Sequence, residues 1–208
     1  MLIRHRGVAP QVDPTAWVAP TATLVGDVRI GPRVRVSYGA VLDAEGSRIE
    51  VGEACVIAEQ AVLRATATGE VDQPVTLADH VFVGPHATLL GCRVERCAYL
   101  ATGATVLHAA RLGAGAVVAV GALVHARTVV GDEVFVPPMT VAIGEPARIV
   151  SPDRTEVMAA AIKEVNFASA AFGVQAQWED RVARYERTAE VRVAEFGAHV
   201  DDEEVPAG

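Results

Sequence analysis

From Val94 to Val136 an aliphatic residue returns at every sixth position without a miss: Val94, Leu100, Val106, Leu112, Val118, Val124, Val130 and Val136. A second register, four positions later, reads Ala98, Ala104, Ala110, Ala116, Ala122, Thr128 and Val134, so each hexad supplies one large and one small inward side chain. A period of six is neither the 3.6-residue repeat of an amphipathic helix nor the alternation of a half-buried strand. Self-similarity at a fixed period marks an architecture of stacked coils, each burying its apolar edges against its neighbours. The pattern therefore predicts an all-β parallel β-helix of triangular cross-section, with three hexads to a coil.

The same register organises the rest of the chain. Val12, Val18, Leu24, Ile30, Val36 and Leu42 are again six apart, with Ala22, Val28, Val34 and Ala40 in the small register. The repeat breaks at Asp43 to Arg48, which a corner of the prism must absorb, and resumes at Val51, Ile57 and Leu63 with Cys55 and Ala61. The polar stretch Arg64 to Pro74, containing Gly69 and Pro74, reads as an excursion loop. Leu77, Val83 and Leu89 return to register, and the step to Val94 is shortened to five. Pro137-Pro138 is expected to end the regular coils, because proline cannot donate to a ladder.

Beyond Ser151-Pro152 the spacing becomes three to four, through Ala161, Val165, Ala168 and Phe172, then Trp178, Val182, Tyr185, Ala189, Arg192 or Val193, and Phe196. These are two helices, or one interrupted at Gly173, whose apolar stripes call for a partner: the outside of the solenoid or a neighbouring subunit. Trp17 and Trp178 are candidates for that seam. The organisation predicted is a β-helix domain over 10–150, a helical extension over 151–200 and an acidic disordered tail over 201–208, which holds Asp201, Asp202, Glu203 and Glu204.

Composition sharpens this reading. Hydrophobic residues make up 51% and aromatics only 5%, as suits a core of stacked Val, Leu, Ile and Ala. No run approaches the ~20 apolar residues of a spanning helix, so no membrane partner is expected. The N-terminus lacks the apolar stretch of a signal peptide, and the three cysteines have no framework spacing. A cytoplasmic location is the default expectation. A net charge of −8 argues against nucleic acid as a partner.

The segments "WVAPTATLVGDVRIGPRVRVSYGAVLDAEGSRIEVGEACVIAEQAVLR", "VTLADHVFVGPHATLLGC", "LGAGAVVAVGALV" and "VAIGEPARIV" resemble the γ-class carbonic anhydrase family of the hexapeptide-repeat superfamily over about residues 10 to 150. The resemblance implies a left-handed β-helix, against the usual right-handed crossover, and a homotrimer with sites between subunits. It also implies three histidines holding zinc, and here the correspondence fails. The positions resembling the ligands hold Arg64, Pro85 and Leu90. Proline and leucine cannot coordinate a metal, and arginine stays protonated. The arginine and aspartate of the family's "RGD" fall on Asp43 and Glu45, and its "QD" pair falls on Ala58 and Glu59. No metal cofactor and no carbonic anhydrase activity are expected at that position.

Six other residues are candidates for a relocated metal site: His80, His86, His108, His125, Cys92 and Cys97. His86 lies one position beyond Pro85, but a one-residue shift along an extended segment points a side chain to the opposite face, and buried cysteines behave as small hydrophobes. Counting coils through the breaks places Asp43, Arg64, Leu90, Leu107 and His125 in one column on adjacent rungs ~4.8 Å apart. The reading that follows is an Asp43–Arg64 pair at the former metal position. Its guanidinium would recognise an anion, held by Asp43 with Glu45 or Glu59, in a cleft lined by Pro85 and Leu90. Arg64, His86 and Glu59 are the candidates for any chemistry there. Three functions are open: a homotrimer that has lost zinc chemistry and binds or transforms a small-molecule ligand at an intersubunit cleft; an acyltransferase using coenzyme A with His86 or His108 as base; or a non-catalytic trimeric scaffold.

Overall fold

The structure is a computed structural model that describes residues 1–68, 71–175 and 180–206. The hexads wind into a β-helix with three parallel faces, followed by helices. One face is a ten-stranded sheet; the other two have seven strands each. In the ten-stranded face, Thr23–Val25, Val41–Asp43, Val62–Arg64, Thr88–Leu90, Thr105–Val106, Leu123–Val124 and Val141–Ile143 lie side by side. The large hexad residues Leu24, Leu42, Leu63, Leu89, Val106 and Val124 form one inward stack, each 0% exposed. Within a strand their neighbours point out, and that outward column is where side chains are available for function.

Several expectations change in detail. Pro137-Pro138 sits in a corner turn and does not end the coils: Val141–Ile143 still pairs in parallel with Leu123–Val124, and the stack closes on an antiparallel hairpin with Arg148–Val150. The proline carbonyl of Pro137 accepts from the Thr140 hydroxyl, at a place where no ladder donor is required. The solenoid also begins before residue 10, since Leu2–Arg4 pairs in parallel with Thr23–Val25. The excursion from Arg64 contains an antiparallel ribbon, Thr66–Thr68 with Val71–Gln73. The shortened step after Leu89 turns through Gly91 at φ +48°, where an added Cβ would stand 2.8 Å from that of Gln73.

The extension forms α1 (Thr155–Val165), α2 (Phe167–Phe172) and α3 (Arg181–Phe196). Asn166 and Gly173 both take left-handed conformations and so break the helical run twice. The expected stripe of α3 is turned around: Val182 and Val193 are 80% and 72% exposed, while Arg184 and Glu195 are buried. Trp178 lies outside the described residues. The tail differs too. In place of disorder, Glu203–Val205 forms an antiparallel edge strand on Leu2–Arg4 and Asp202 accepts from the buried His5; residues 207–208 of the expected tail lie outside the described residues. The acidic run is not solvated throughout: Asp202 meets His5 and His199, while Asp201, Glu203 and Glu204 stay exposed. Among the described residues no helix is long and apolar enough to cross a membrane.

Candidate functional site

The outward column of the ten-stranded face runs as the coil count requires. Arg64 pairs in register with Asp43 on one side and Leu90 on the other; Leu107 and His125 continue it on the next coils. The Arg64 Nη2 lies 3.0 Å from Asp43 Oδ2, and Asp43 Oδ1 accepts from the backbone N–H of Glu45 at 3.0 Å. The Arg64 guanidinium also lies 5.0 Å over the ring of Phe196 at the end of α3. It is thus held by one carboxylate and capped by one aromatic face.

The remaining candidate residues scatter. Glu45 is buried and faces His199, not Arg64. Glu59 and His86 share a corner, where the His86 N–H donates to the Glu59 carbonyl at 3.0 Å, but both side chains are exposed. His86 adopts φ +57° there, as do many corner residues of the coil, so its ring leaves the column. Pro85 and Leu90 are half-buried. An arginine tied to a carboxylate, a proline and a leucine offer no donor atom to a cation, so the residues present do not fit a zinc ion at this position.

The charged inner face of α3 explains why that helix packs as it does. Arg192 stacks over Phe172 at 5.1 Å and Phe196 at 4.2 Å and forms an ion pair with Glu195. Burial pushes the Glu195 carboxyl upward, opposed by Arg192 and reinforced by Glu45. Phe167 and Phe172 close on His108, edge to face at 5.6 and 5.4 Å. Burial, with the Arg192 charge, lowers the His108 imidazole to about 4; its Nδ1 has no hydrogen-bond partner among the described residues. A base sealed among phenylalanines cannot reach a substrate hydroxyl, which removes His108 from the acyl-transfer role. His125 is lowered by burial as well. Cys92 is pushed to about 12 and Cys55 to about 11, both by burial, so both sit in the core as neutral thiols.

Between the column and the helices lies a cavity of 240 Å³, lined by Leu107, His125, Phe167, Phe172, Arg184 and Tyr185 among others. A second grouping joins Glu45 to two histidines that sequence reasoning missed. His5, Glu45 and His199 each place a ligand atom within 4.8 Å of the others. Neither histidine has a local motif, and the two are separated by almost the whole chain. Only a contact between the chain ends, hinted at by nothing but the acidic run after His199, joins them.

No protein-family model matches the chain. The chain is similar to a mitochondrial γ-carbonic anhydrase of Arabidopsis thaliana, 36% identical over 136 residues that make up 61% of this chain and 49% of the relative. It is also similar to the carnitine operon protein CaiE of Escherichia coli, 29% identical over 58% of this chain and 59% of that one. Among solved structures, a hexapeptide transferase family protein of Anaplasma phagocytophilum superposes with a TM-score of 0.48 at 23% identity, covering 94% of this chain and 96% of that one. The chain spans about half the length of the γ-carbonic anhydrases it matches. With the hexads wound into stacked coils and the matched segment lying on them, the chain is a β-solenoid similar in sequence to the γ-carbonic anhydrases.

Proposed function

We propose that this protein is a homotrimer that has given up zinc-dependent hydration and binds a small organic ligand in the cavity between its coil face and its C-terminal helices. The observation that carries the reading is the 240 Å³ cavity itself. It is walled by Phe167, Phe172 and Leu107, and carries the buried Arg184, 3% exposed, and the neutral His125 as its polar groups. Apolar walls with a few convergent polar groups are what small-molecule sites look like, and a guanidinium suits a carboxylate. The volume lies below the roughly 300–1,000 Å³ of drug-sized ligands, so the ligand is a small acid and coenzyme A does not fit inside. Arg64, tied to Asp43 and Phe196, serves in this reading to seat α3 and not to hold the anion.

A trimer is supported by the seven-stranded face that carries Trp17, Tyr99 and Phe135, all exposed, with Phe82 stacked on Tyr99 at 4.9 Å. Closed symmetric association is the common way for one chain to cover such a face. Sedimentation should therefore give a particle near three times 21.8 kDa; a monomer at micromolar concentration would sink the assembly. A thermal-shift screen of small mono- and dicarboxylates should find at least one that stabilises the protein saturably, by about 2.7 kcal/mol at a hundredfold excess over Kd. Leu107→Trp, which fills the cavity, should abolish that shift and leave the melting temperature without ligand within a few degrees. Hydration of CO2 should stay at background with zinc supplied. Metal-dependent hydration, or a shift that survives Leu107→Trp, would overturn the reading.

A further inference from the structure

We infer that His5, Glu45 and His199 form a structural binding site for a divalent first-row transition ion that ties the two ends of the chain to the β-helix. The three residues come from the first strand's exit, a coil corner and the one-turn helix after α3. Their tautomers suit a metal. Arg6 Nε donates to His5 Nε2 at 3.2 Å, so that nitrogen carries a lone pair and the proton sits on Nδ1. His5 Nδ1 donates to Asp202 Oδ1 at 2.6 Å, and His199 Nδ1 to Asp202 Oδ2 at 2.8 Å. One carboxylate thus orients both imidazoles, which are stacked with centroids 4.3 Å apart. A carboxylate holding the far nitrogen of each ring is the usual outer shell of a histidine–metal site.

The His199 Nε2 points to Glu45 Oε1 at 3.4 Å and to Asp43 Oδ2 at 3.9 Å. Glu45 is fully buried, and its other oxygen, Oε2, has no hydrogen-bond partner among the described residues. Leaving a buried carboxylate oxygen unsatisfied is costly, and a cation supplies what is missing.

Two imidazoles and a carboxylate select a borderline ion such as Zn²⁺ or Co²⁺ over Mg²⁺ or Ca²⁺. The ligand atoms of a tetrahedral ion with ~2.0 Å bonds stand roughly 3.3 Å apart, so modest rotation of the rings closes the site, and the exposed Arg6 withdraws from His5. With Asp43 beside the fourth position, the ion is enclosed by protein, as in a structural site and not a hydrating one. None of these residues lines the ligand cavity, so this inference stands or falls apart from the proposed function.

The test uses full-length, tag-free protein stripped by chelator and titrated with Co²⁺ and Zn²⁺ alone. One ion per chain is expected, with the visible absorption of tetrahedral Co²⁺, a higher melting temperature and slower proteolysis of the C-terminal segment. His5→Ala and His199→Ala should each weaken binding at least tenfold, and so should Glu45→Gln, which keeps the volume and guards against mere loss of folding. His80→Ala and His86→Ala should leave binding unchanged. Failure of the native protein to take up one ion, or equal uptake by Glu45→Gln and the two alanine variants, would overturn the site.

Discussion

Arg64→Leu is expected to lower the unfolding free energy by roughly 2–3 kcal/mol, whereas the double variant Asp43→Leu with Arg64→Leu should lose less than Arg64→Leu alone. Asp43 is 5% exposed and 3.0 Å from the guanidinium. Stripping the partner from a buried ion pair costs about 3–5 kcal/mol, because the remaining charge keeps its desolvation penalty without compensation. The Arg64 side chain is 31% exposed, and His199 stands 3.9 Å from the stranded oxygen, so the figure is reduced for screening and substitution. In the double variant two leucines replace both charges in a column that already continues into Leu90 and Leu107, and the coupling between the sites appears as non-additivity. Denaturant unfolding of the three variants measures it. An Arg64→Leu variant as stable as the parent would show that the pair is solvated and does not seat α3.

The adjacency of that pair was legible because the β-helix leaves little freedom. Once the hexads are recognised, each strand's neighbour is fixed by a count, and the breaks at Asp43 and Arg64 fall where the chain turns outward without disturbing the inward stack of Leu42, Leu63 and Leu89. The adjacency of Asp43, Arg64 and Leu90 therefore followed from periodicity alone. Pro137-Pro138 misled because proline's missing donor matters only inside a ladder, and a corner has none.

The helices were legible as helices but not in orientation. A periodic stripe says which residues share a face; it does not say that the face lies inward. For α3 the surface to be covered already carried Arg64 and Asp43 together with Phe172 from α2. The helix turned Arg184, Arg192 and Glu195 towards it and left Val182, Tyr185 and Val193 outside. The inward side was decided by the charge and aromatic character of the opposing column, information held some 130 residues away. The cavity and the His5–Glu45–His199 group share this property: the first is assembled by the docking of α2 and α3 on the coil face, the second by the segment after α3, and neither has a local spacing to read.

The same docking makes the protein acid-sensitive in a defined window. His108 is 3% exposed between Phe167 and Phe172, and burial together with Arg192 lowers it from 6.5 to about 4. An imidazole depressed in the folded state is neutral there while the unfolded chain takes up a proton. Stability is therefore fully present above pH 6.5 and is lost as the pH falls towards 4, where the folded state protonates too. At 1.36 kcal/mol per pH unit the gap corresponds to about 3 kcal/mol, an upper figure for a single group. His108→Gln, which cannot titrate, should flatten the denaturant-derived stability profile between these limits. The variant should be less stable than the parent at pH 7.5, because the amide disturbs the packing against both rings, yet the two curves should converge as the pH falls. A parent profile that is flat between pH 6.5 and 4, or a His108 resonance that titrates near 6.5 in the folded protein, would mean that the phenylalanine cage is open to water and that α2 is not seated on the coil face.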